Sequence, residues 1–413
     1  PDQRGRPPDA VADLLQAVRR RHQATDQTYR LGPGVVRMSG RSDADAPRGR
    51  LDGADPATVQ AAIETGDALP GTAGFAGELD GRLVRDVLGR RPLFVDGDSW
   101  AFDPTALADP VSIPAGTVRH LVADETPDDD RHWTLPRPDP ETDDDRAVDA
   151  VREAVLDRTR AVVADSTSGD PDDGSVAVAF SGGVDSAVVA AGVPDAPCYV
   201  AGFEGCHDVA AAREAAAAMD RDLRVVEITH DDIRERIPDL AAATGRTNPM
   251  DLAIALPLVL VGERAAADGF DRLALGDPRV DADTVRGARR ELLGTIPEQA
   301  ERDVLALRAA GVEPVTPLLH DDVVAAALSL PGHLLVDGDE RKVALRAAAR
   351  GVVPEPVRTA DKKAVQYGTY VARELDRLAR QAGYKRRMDD HVERYVRSLV
   401  GDAGTDPGSD APD

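Results

Sequence analysis

A short apolar run followed by a glycine-containing turn places the strongest constraint on how this chain folds. Residues 176–180 read Val-Ala-Val-Ala-Phe, and residues 181–186 read Ser-Gly-Gly-Val-Asp-Ser. The apolar run, the glycines and the helix-compatible residues from Val184 to Gly192 predict a strand, a tight loop and a helix. Such a loop directs backbone N–H groups and the positive end of a helix at one point, so the pattern predicts a phosphate site.

The residues of this loop suit a nucleotide. Gly182 and Gly183 allow the backbone to approach a ligand without an intervening Cβ. Ser181 and Ser186 add hydroxyl donors, and Asp185 is a candidate Mg²⁺ ligand beside phosphates. The lysine of the G-x-x-x-x-G-K-S/T loop is missing, which indicates a different class of phosphate-binding loop.

Ser-Gly-Gly-x-Asp-Ser after a strand resembles the PP-loop of the ATP pyrophosphatases. These enzymes split ATP into AMP and pyrophosphate to activate a carboxylate or carbonyl oxygen. The resemblance implies ATP and Mg²⁺ as cofactors. It also implies that nucleotide binding falls to Ser181, Gly182, Gly183, Asp185 and Ser186, with Asp185 holding the metal. A chance turn in a glycine-rich chain is the alternative.

The composition limits the partners. A length of 413 residues predicts two or three domains, and a net charge of −24 argues against non-specific binding to nucleic acid or to an anionic membrane. Lysine occurs only four times among abundant Asp, Ala and Arg, which is similar to a cytoplasmic protein of a salt-in halophile. No apolar run approaches the length of a membrane span, so a cytoplasmic protein is expected.

Changes in composition divide the chain into five segments. Residues 1–50 are polar, as is typical of an extension without fixed structure. In residues 51–123, short apolar runs broken by Gly, Asp and Pro predict a β-rich domain of antiparallel strands. Residues 124–144 form an acidic, proline-rich linker, 145–395 an α/β domain and 396–413 a disordered tail.

The β-rich segment resembles a class II glutamine amidotransferase domain. Residues 85–94 are similar to its "RDxxGxxPL" signature, and residues 113–116 are similar to its "PPG" turn. That family uses an N-terminal cysteine as nucleophile. The first cysteine here is Cys198, beyond the PP-loop. We therefore expect a truncated Ntn-type domain whose glutaminase activity is lost.

Strand and helix patterns alternate after the loop, which predicts a parallel, doubly wound sheet with helices on both faces. Ligands bind such sheets at the carboxyl ends of the strands. Gly202 ends the second predicted strand at that edge. In the PP-loop family the backbone at this place contacts adenine, so Gly202 is a candidate nucleotide-binding residue.

Later motifs resemble the asparagine synthetase family. Residues 311–321 are similar to its "GVEARVPFLD" motif, and residues 361–368 to its "KK…G" loop, with Arg341–Arg346 and Val353-Pro354 between them in the family's order. The subgroup of asparagine synthetase domain-containing proteins, which carries "KxAxQFG", is the most similar. The resemblance implies a PP-loop ATP pyrophosphatase fold, similar to adenine nucleotide α-hydrolases.

Two candidate catalytic residues follow from this resemblance. The family's first loop lysine, which reaches pyrophosphate, corresponds to Lys362. The first Glu of "GEGADELFGGY" corresponds to Asp277, but the metal-binding Asp of that motif falls on Val280. Asp281 or Asp283 replaces it if the loop is re-routed.

The family resemblance implies an enzyme that adenylates the aspartate side chain and amidates it to asparagine. Ammonia would be supplied free, or derived from glutamine by a glutaminase partner, and a homodimer is a further option. Two alternatives remain open. The chain is a degenerate nucleotide-binding module that acts with a partner, or it adenylates another acceptor. The altered loop after Gly276, and Val315 where the family motif has Arg, argue against turnover but not against ATP binding.

Overall fold

The structure is a computed structural model. It describes residues 26–29, 50–121, 131–164, 175–276, 287–360, 368–387 and 390–401, and only the backbone of 26–29, 163–164 and 287–293. The strands are β1 Asp26–Tyr29, β2 Leu51–Asp52, β3 Ala76–Leu79, β4 Arg82–Arg85, β5 Phe94–Asp96, β6 Ser99–Ala101, β7 Val111–Ser112, β8 Val118–His120, β9 Val176–Ala179, β10 Cys198–Gly202, β11 Leu223–Glu227, β12 Arg272–Ala274, β13 Glu313–Val315, β14 Val336–Asp337 and β15 Glu340–Arg341. The helices are α1 Pro56–Thr65, α2 Asp144–Ala164, α3 Val184–Gly192, α4 His207–Ala218, α5 His230–Thr244, α6 Pro249–Ala267, α7 Gly287–Ala309, α8 Asp321–Leu328, α9 Gly332–Leu335, α10 Val343–Ala348, α11 Glu355–Arg358, α12 Val371–Gln381 and α13 His391–Val400.

The central sheet is parallel and has the strand order β1-β11-β10-β9-β12-β13. After β9 the chain adds β10 and β11 on one side, and it then crosses over to add β12 and β13 on the other. The connections on the two sides of β9 therefore run in opposite directions. The carboxyl end of β9 is thus the switch point, the place where open α/β sheets bind ligands.

Side chains of the central strands alternate between two cores. Val178 and Val200 point into a core built with α2, α3 and α4, whereas Ala177 and Tyr199 point into a core built with α5, α6 and α12. Because both faces are covered by helices, the central strands are apolar along their whole length. The predicted α/β class with a parallel sheet is confirmed.

A second lobe, which we call the β lobe, comprises residues 50–121 and 131–133. It has one antiparallel sheet in the order β2-β3-β4-β8 and another in the order β6-β5-β7. Ala76 and Leu83 are buried with Phe102 in one core of the lobe, and α1 covers a separate core around Phe75. The predicted antiparallel strands are confirmed, and the relation to an Ntn-type fold stays a prediction.

Several residues outside the two predicted domains are part of the folded structure. Trp133 lies in the predicted linker, yet it is 2% exposed in the β-lobe core, and its indole N–H donates to Ala62 O over 3.3 Å. β1 falls in the predicted extension and lies beside β11. Val396, in the predicted tail, is fully buried in α13. No helix in the described ranges has the length and apolarity that a membrane span requires.

Buried charges join the β lobe to the rest of the chain, which we call the α/β lobe. Arg90 donates through Nε to Asp86 and approaches Asp321 through Nη2, both at 2.8 Å, and all these side chains are 1% exposed. Asp321 also accepts from Thr72 N over 2.7 Å, and Leu319 O accepts from Arg90 over 2.7 Å. Burial alone would lower the pKa of Arg90, but the two carboxylates raise it above its ordinary value.

We expect Asp321→Ala to lower the free energy of unfolding by about 3 kcal/mol, because it breaks a buried ion pair and removes the acceptor of Thr72. A matched control is Asp157→Ala, which removes the exposed partner of Arg160 on α2. This control should cost no more than about 0.5 kcal/mol. Denaturant titration of both variants at low and molar salt checks the difference, and equal losses would contradict the structural role of Asp321.

Candidate functional site

The loop between β9 and α3 has the predicted form. β9 ends at Ala179, the buried Phe180 follows, and α3 begins at Val184 after the turn. Gly183 caps α3 and has no side chain with which to satisfy the first-turn N–H groups. These donors and the positive end of the helix dipole therefore face the carboxyl edge of the sheet, as an anion-binding loop requires.

Two glycines allow elements to pack directly on this loop. Gly182 has φ +75°, and a Cβ there would lie 2.6 Å from Ala211 O on α4. Gly276, just after β12, would place a Cβ 2.6 Å from Ser186 Cα. Real Cβ atoms do not approach this closely, so both positions depend on glycine.

The loop hydroxyls lie together. Ser186 Oγ donates to Gly183 O over 3.1 Å and accepts from Ser181 N over 3.2 Å. The Ser181 hydroxyl lies 3.2 Å from Ser186 Oγ. The structure therefore brings together the five predicted loop residues, Ser181, Gly182, Gly183, Asp185 and Ser186.

An ion pair at the mouth of the loop was not predicted from the sequence. Lys342 Nζ donates to Asp185 Oδ2 over 2.6 Å, and the side chains are 31% and 21% exposed. Lys342 precedes α10 and has the left-handed φ of +62°. A signal was available, because Lys342 is one of only four lysines and lies in the Arg341–Arg346 motif.

Gly202 lies next to the loop, at the carboxyl end of β10. A Cβ there would collide with Cys206 Sγ, and Gly202 O accepts from Ile228 N over 3.0 Å. Cys198 and Cys206 are both buried and free. Burial raises the pKa of Cys198 to about 11, so its thiol stays protonated and packs as an apolar group.

Three predicted site residues, Asp277, Asp281 and Lys362, lie outside the described residues. Among the described residues, no group of three His, Cys, Asp or Glu side chains could hold a metal ion. Asp185 is therefore the one predicted metal ligand that the structure places.

Comparison with known proteins identifies the class of protein. The family model for asparagine synthase matches residues 158–278 and 276–403, which is more than half of the chain and most of the α/β lobe. The chain belongs to the asparagine synthase family.

A curated relative is similar over a comparable share of the chain. It is named "Putative asparagine synthetase (glutamine-hydrolyzing) 1" and comes from Methanocaldococcus jannaschii. The alignment of 308 positions has 23% identity, and it covers 61% of this chain and 54% of the relative. The chain thus spans about half the length of this relative.

We expect Gly276→Ala to lower the free energy of unfolding by about 1 to 3 kcal/mol, because the new methyl group would displace the start of α3. Gly294→Ala is the matched control, since Gly294 is exposed in α7 with open space around it. It should raise stability by about 0.5 to 1 kcal/mol. Thermal and denaturant unfolding measure both, and a stabilised Gly276→Ala protein would contradict the close contact.

Proposed function

We propose that this chain is an ATP-dependent ligase that binds Mg·ATP at Ser181–Ser186 and converts aspartate to asparagine, releasing AMP and pyrophosphate. The observation that carries the proposal is the contact between Asp185 and Lys342 at the amino end of α3, beside the switch point of the sheet. Membership of the asparagine synthase family supports the ligase class.

The loop supplies the phosphate contacts in this proposal. The first N–H groups of α3, that of Ser186 among them, and the Ser181 hydroxyl donate to phosphate oxygens. The Ser186 hydroxyl donates to Gly183 O and holds the turn. Lys342 adds a compact positive charge beside them, as a leaving pyrophosphate requires. The adenosine lies along the carboxyl ends of β9 and β10, next to Gly202.

The residues present fit a magnesium ion. Mg²⁺ beside nucleotides is commonly held by one or two carboxylates together with phosphate oxygens and water, and Asp185 supplies one carboxylate. When bound, Mg²⁺ neutralises charge on the phosphates. We propose Asp281 as a second ligand, with Asp277 and Lys362 as catalytic residues.

Positioning provides most of the catalysis in this proposal. A side-chain carboxylate oxygen of aspartate attacks the α-phosphorus in line, and the bond from that phosphorus to the bridging oxygen of pyrophosphate breaks. Lys342 and Lys362 stabilise the departing pyrophosphate. Ammonia then attacks the acyl carbon, AMP leaves with the bond electrons, and the nitrogen loses a proton.

The nitrogen donor is ammonia in our proposal. Both cysteines lie in the α/β lobe, so the described β lobe holds no thiol nucleophile for glutamine hydrolysis. We propose that ammonia is taken up free or is delivered by a glutaminase.

One observation favours an acceptor other than aspartate. β13 ends in Val315, where the family motif has an arginine that would suit an anionic substrate. Adenylation of a carboxylate other than that of aspartate is the alternative that this residue supports.

Pyrophosphate release from Mg·ATP, aspartate and ammonium, measured in molar salt, tests the proposal. We expect release that depends on aspartate, with asparagine and AMP as products. ATP binding without release on any amino acid would indicate a nucleotide-binding module, and release with another carboxylate would indicate a different acceptor.

The placement of the site is tested with two variants. Asp185→Asn and Lys342→Met should each weaken Mg·ATP binding about tenfold or more, because each removes a charged contact with the phosphates or their cation. Lys385→Met is the matched control, because Lys385 lies near the C-terminus beyond α12. Isothermal titration calorimetry checks all three, and unchanged affinity in Asp185→Asn would refute the site.

A further inference from the structure

Lys342 adopts a backbone conformation that a lysine seldom takes. Its φ is +62°, in the left-handed region, where the Cβ crowds the backbone carbonyl. Such a conformation persists only where the surroundings determine it, and it clusters at functional positions. The contacts around Lys342 therefore have to account for it.

The peptide unit between Arg341 and Lys342 is held from both sides. Its N–H donates to Leu335 O over 2.8 Å, and its carbonyl oxygen accepts from Arg346 Nε over 2.8 Å. Rotation about φ of Lys342 would turn this peptide unit relative to the side chain of Lys342. The two hydrogen bonds oppose that rotation and so fix the direction in which Lys342 leaves the backbone.

The guanidinium of Arg346 is itself fixed. Its Nη1 donates to Arg358 O over 2.6 Å and its Nη2 to Ala360 O over 3.3 Å, and the residue is 8% exposed. These acceptors and Arg341 O are all backbone carbonyls. The planar fork of arginine thus serves as a rigid brace between two segments of chain.

We propose that Arg346 is a positioning residue that acts through Lys342: its bond to Arg341 O directs the Lys342 ammonium onto Asp185 at the mouth of the loop. The positioning of Lys342 by Arg346 follows from the geometry alone. Its consequence for ATP binding rests on the proposed function.

The positioning of the Lys342 side chain by Arg346 can be measured without any nucleotide. The chain has only four lysines, so labelling lysine with ¹⁵N at Nζ gives few side-chain NMR signals, and Lys342→Met assigns the signal of Lys342. Asp185→Asn, made as a single substitution, should shift the Lys342 signal away from its wild-type position. Arg346→Gln should move the Lys342 signal to the same chemical shift as Asp185→Asn does. The double variant Arg346→Gln/Asp185→Asn should show no further change in that chemical shift.

The chain offers a matched control. Arg221 also donates to three backbone carbonyls, those of Pro194, Val193 and Ala196, at 2.5, 2.7 and 2.7 Å. These acceptors precede β10, at the amino edge of the sheet and away from the loop. Arg221→Gln should lower the unfolding temperature as Arg346→Gln does, but leave the Lys342 signal unchanged.

ATP affinity gives a second measurement. Arg346→Gln should weaken Mg·ATP binding about tenfold, and it should have little further effect in a Lys342→Met background, since residues that act through one contact are not additive. Arg221→Gln should stay within about twofold of wild type.

The two ideas fail in different ways. Absence of ATP binding by the wild-type protein would sink the proposed function, and the NMR comparison would still decide the role of Arg346. An unmoved Lys342 signal in Arg346→Gln would overturn the positioning role. An equal loss of affinity with and without Lys342 would also overturn it.

Discussion

Close packing on the backbone of Ser181–Ser186 is the constraint on which the site depends. α4 lies against Gly182, and the chain leaving β12 lies against the start of α3 at Gly276, in both cases at distances that exclude a Cβ. The loop is therefore enclosed by α4 on one side and by the end of β12 on the other. Its N–H groups are oriented before a ligand arrives, so the loop does not have to be ordered at the moment of binding.

The segment from Arg85 to Arg90 serves as a joint between the lobes. Asp86 accepts from Leu88 N and from the backbone and side chain of Arg90, which closes the turn and aims Arg90 at Asp321. Arg85 extends the joint to Glu301 on α7, which also accepts from Ser112. Because these charges are buried, salt screens them much less than the many carboxylates on the surface.

Local signals and long-range contacts differ in how well the sequence predicts them. The strand, loop and helix over residues 176–192 were predicted to within a residue, since apolar periodicity and glycine act between near neighbours. The Lys342–Asp185 contact joins residues 157 positions apart, and a left-handed lysine has no local signature. Trp133 is likewise buried by residues distant in the sequence, those of the β-lobe core. The acidic, proline-rich residues around it predict a linker, so its burial could not be predicted from its sequence neighbours. Roles for Asp277, Asp281 and Lys362 stay predictions.

Because Asp185 is paired with the ammonium of Lys342, any cation that binds Asp185 has to compete with this lysine. One carboxylate oxygen is already taken by a tethered monovalent cation at 2.6 Å. A divalent ion that binds this oxygen must displace the lysine, and the displaced lysine stays within reach of whatever anion accompanies the metal. Free metal meets this competitor alone, whereas a metal–phosphate complex offers the lysine a new partner. In the proposed function, the pair would thus favour the complex over the bare ion.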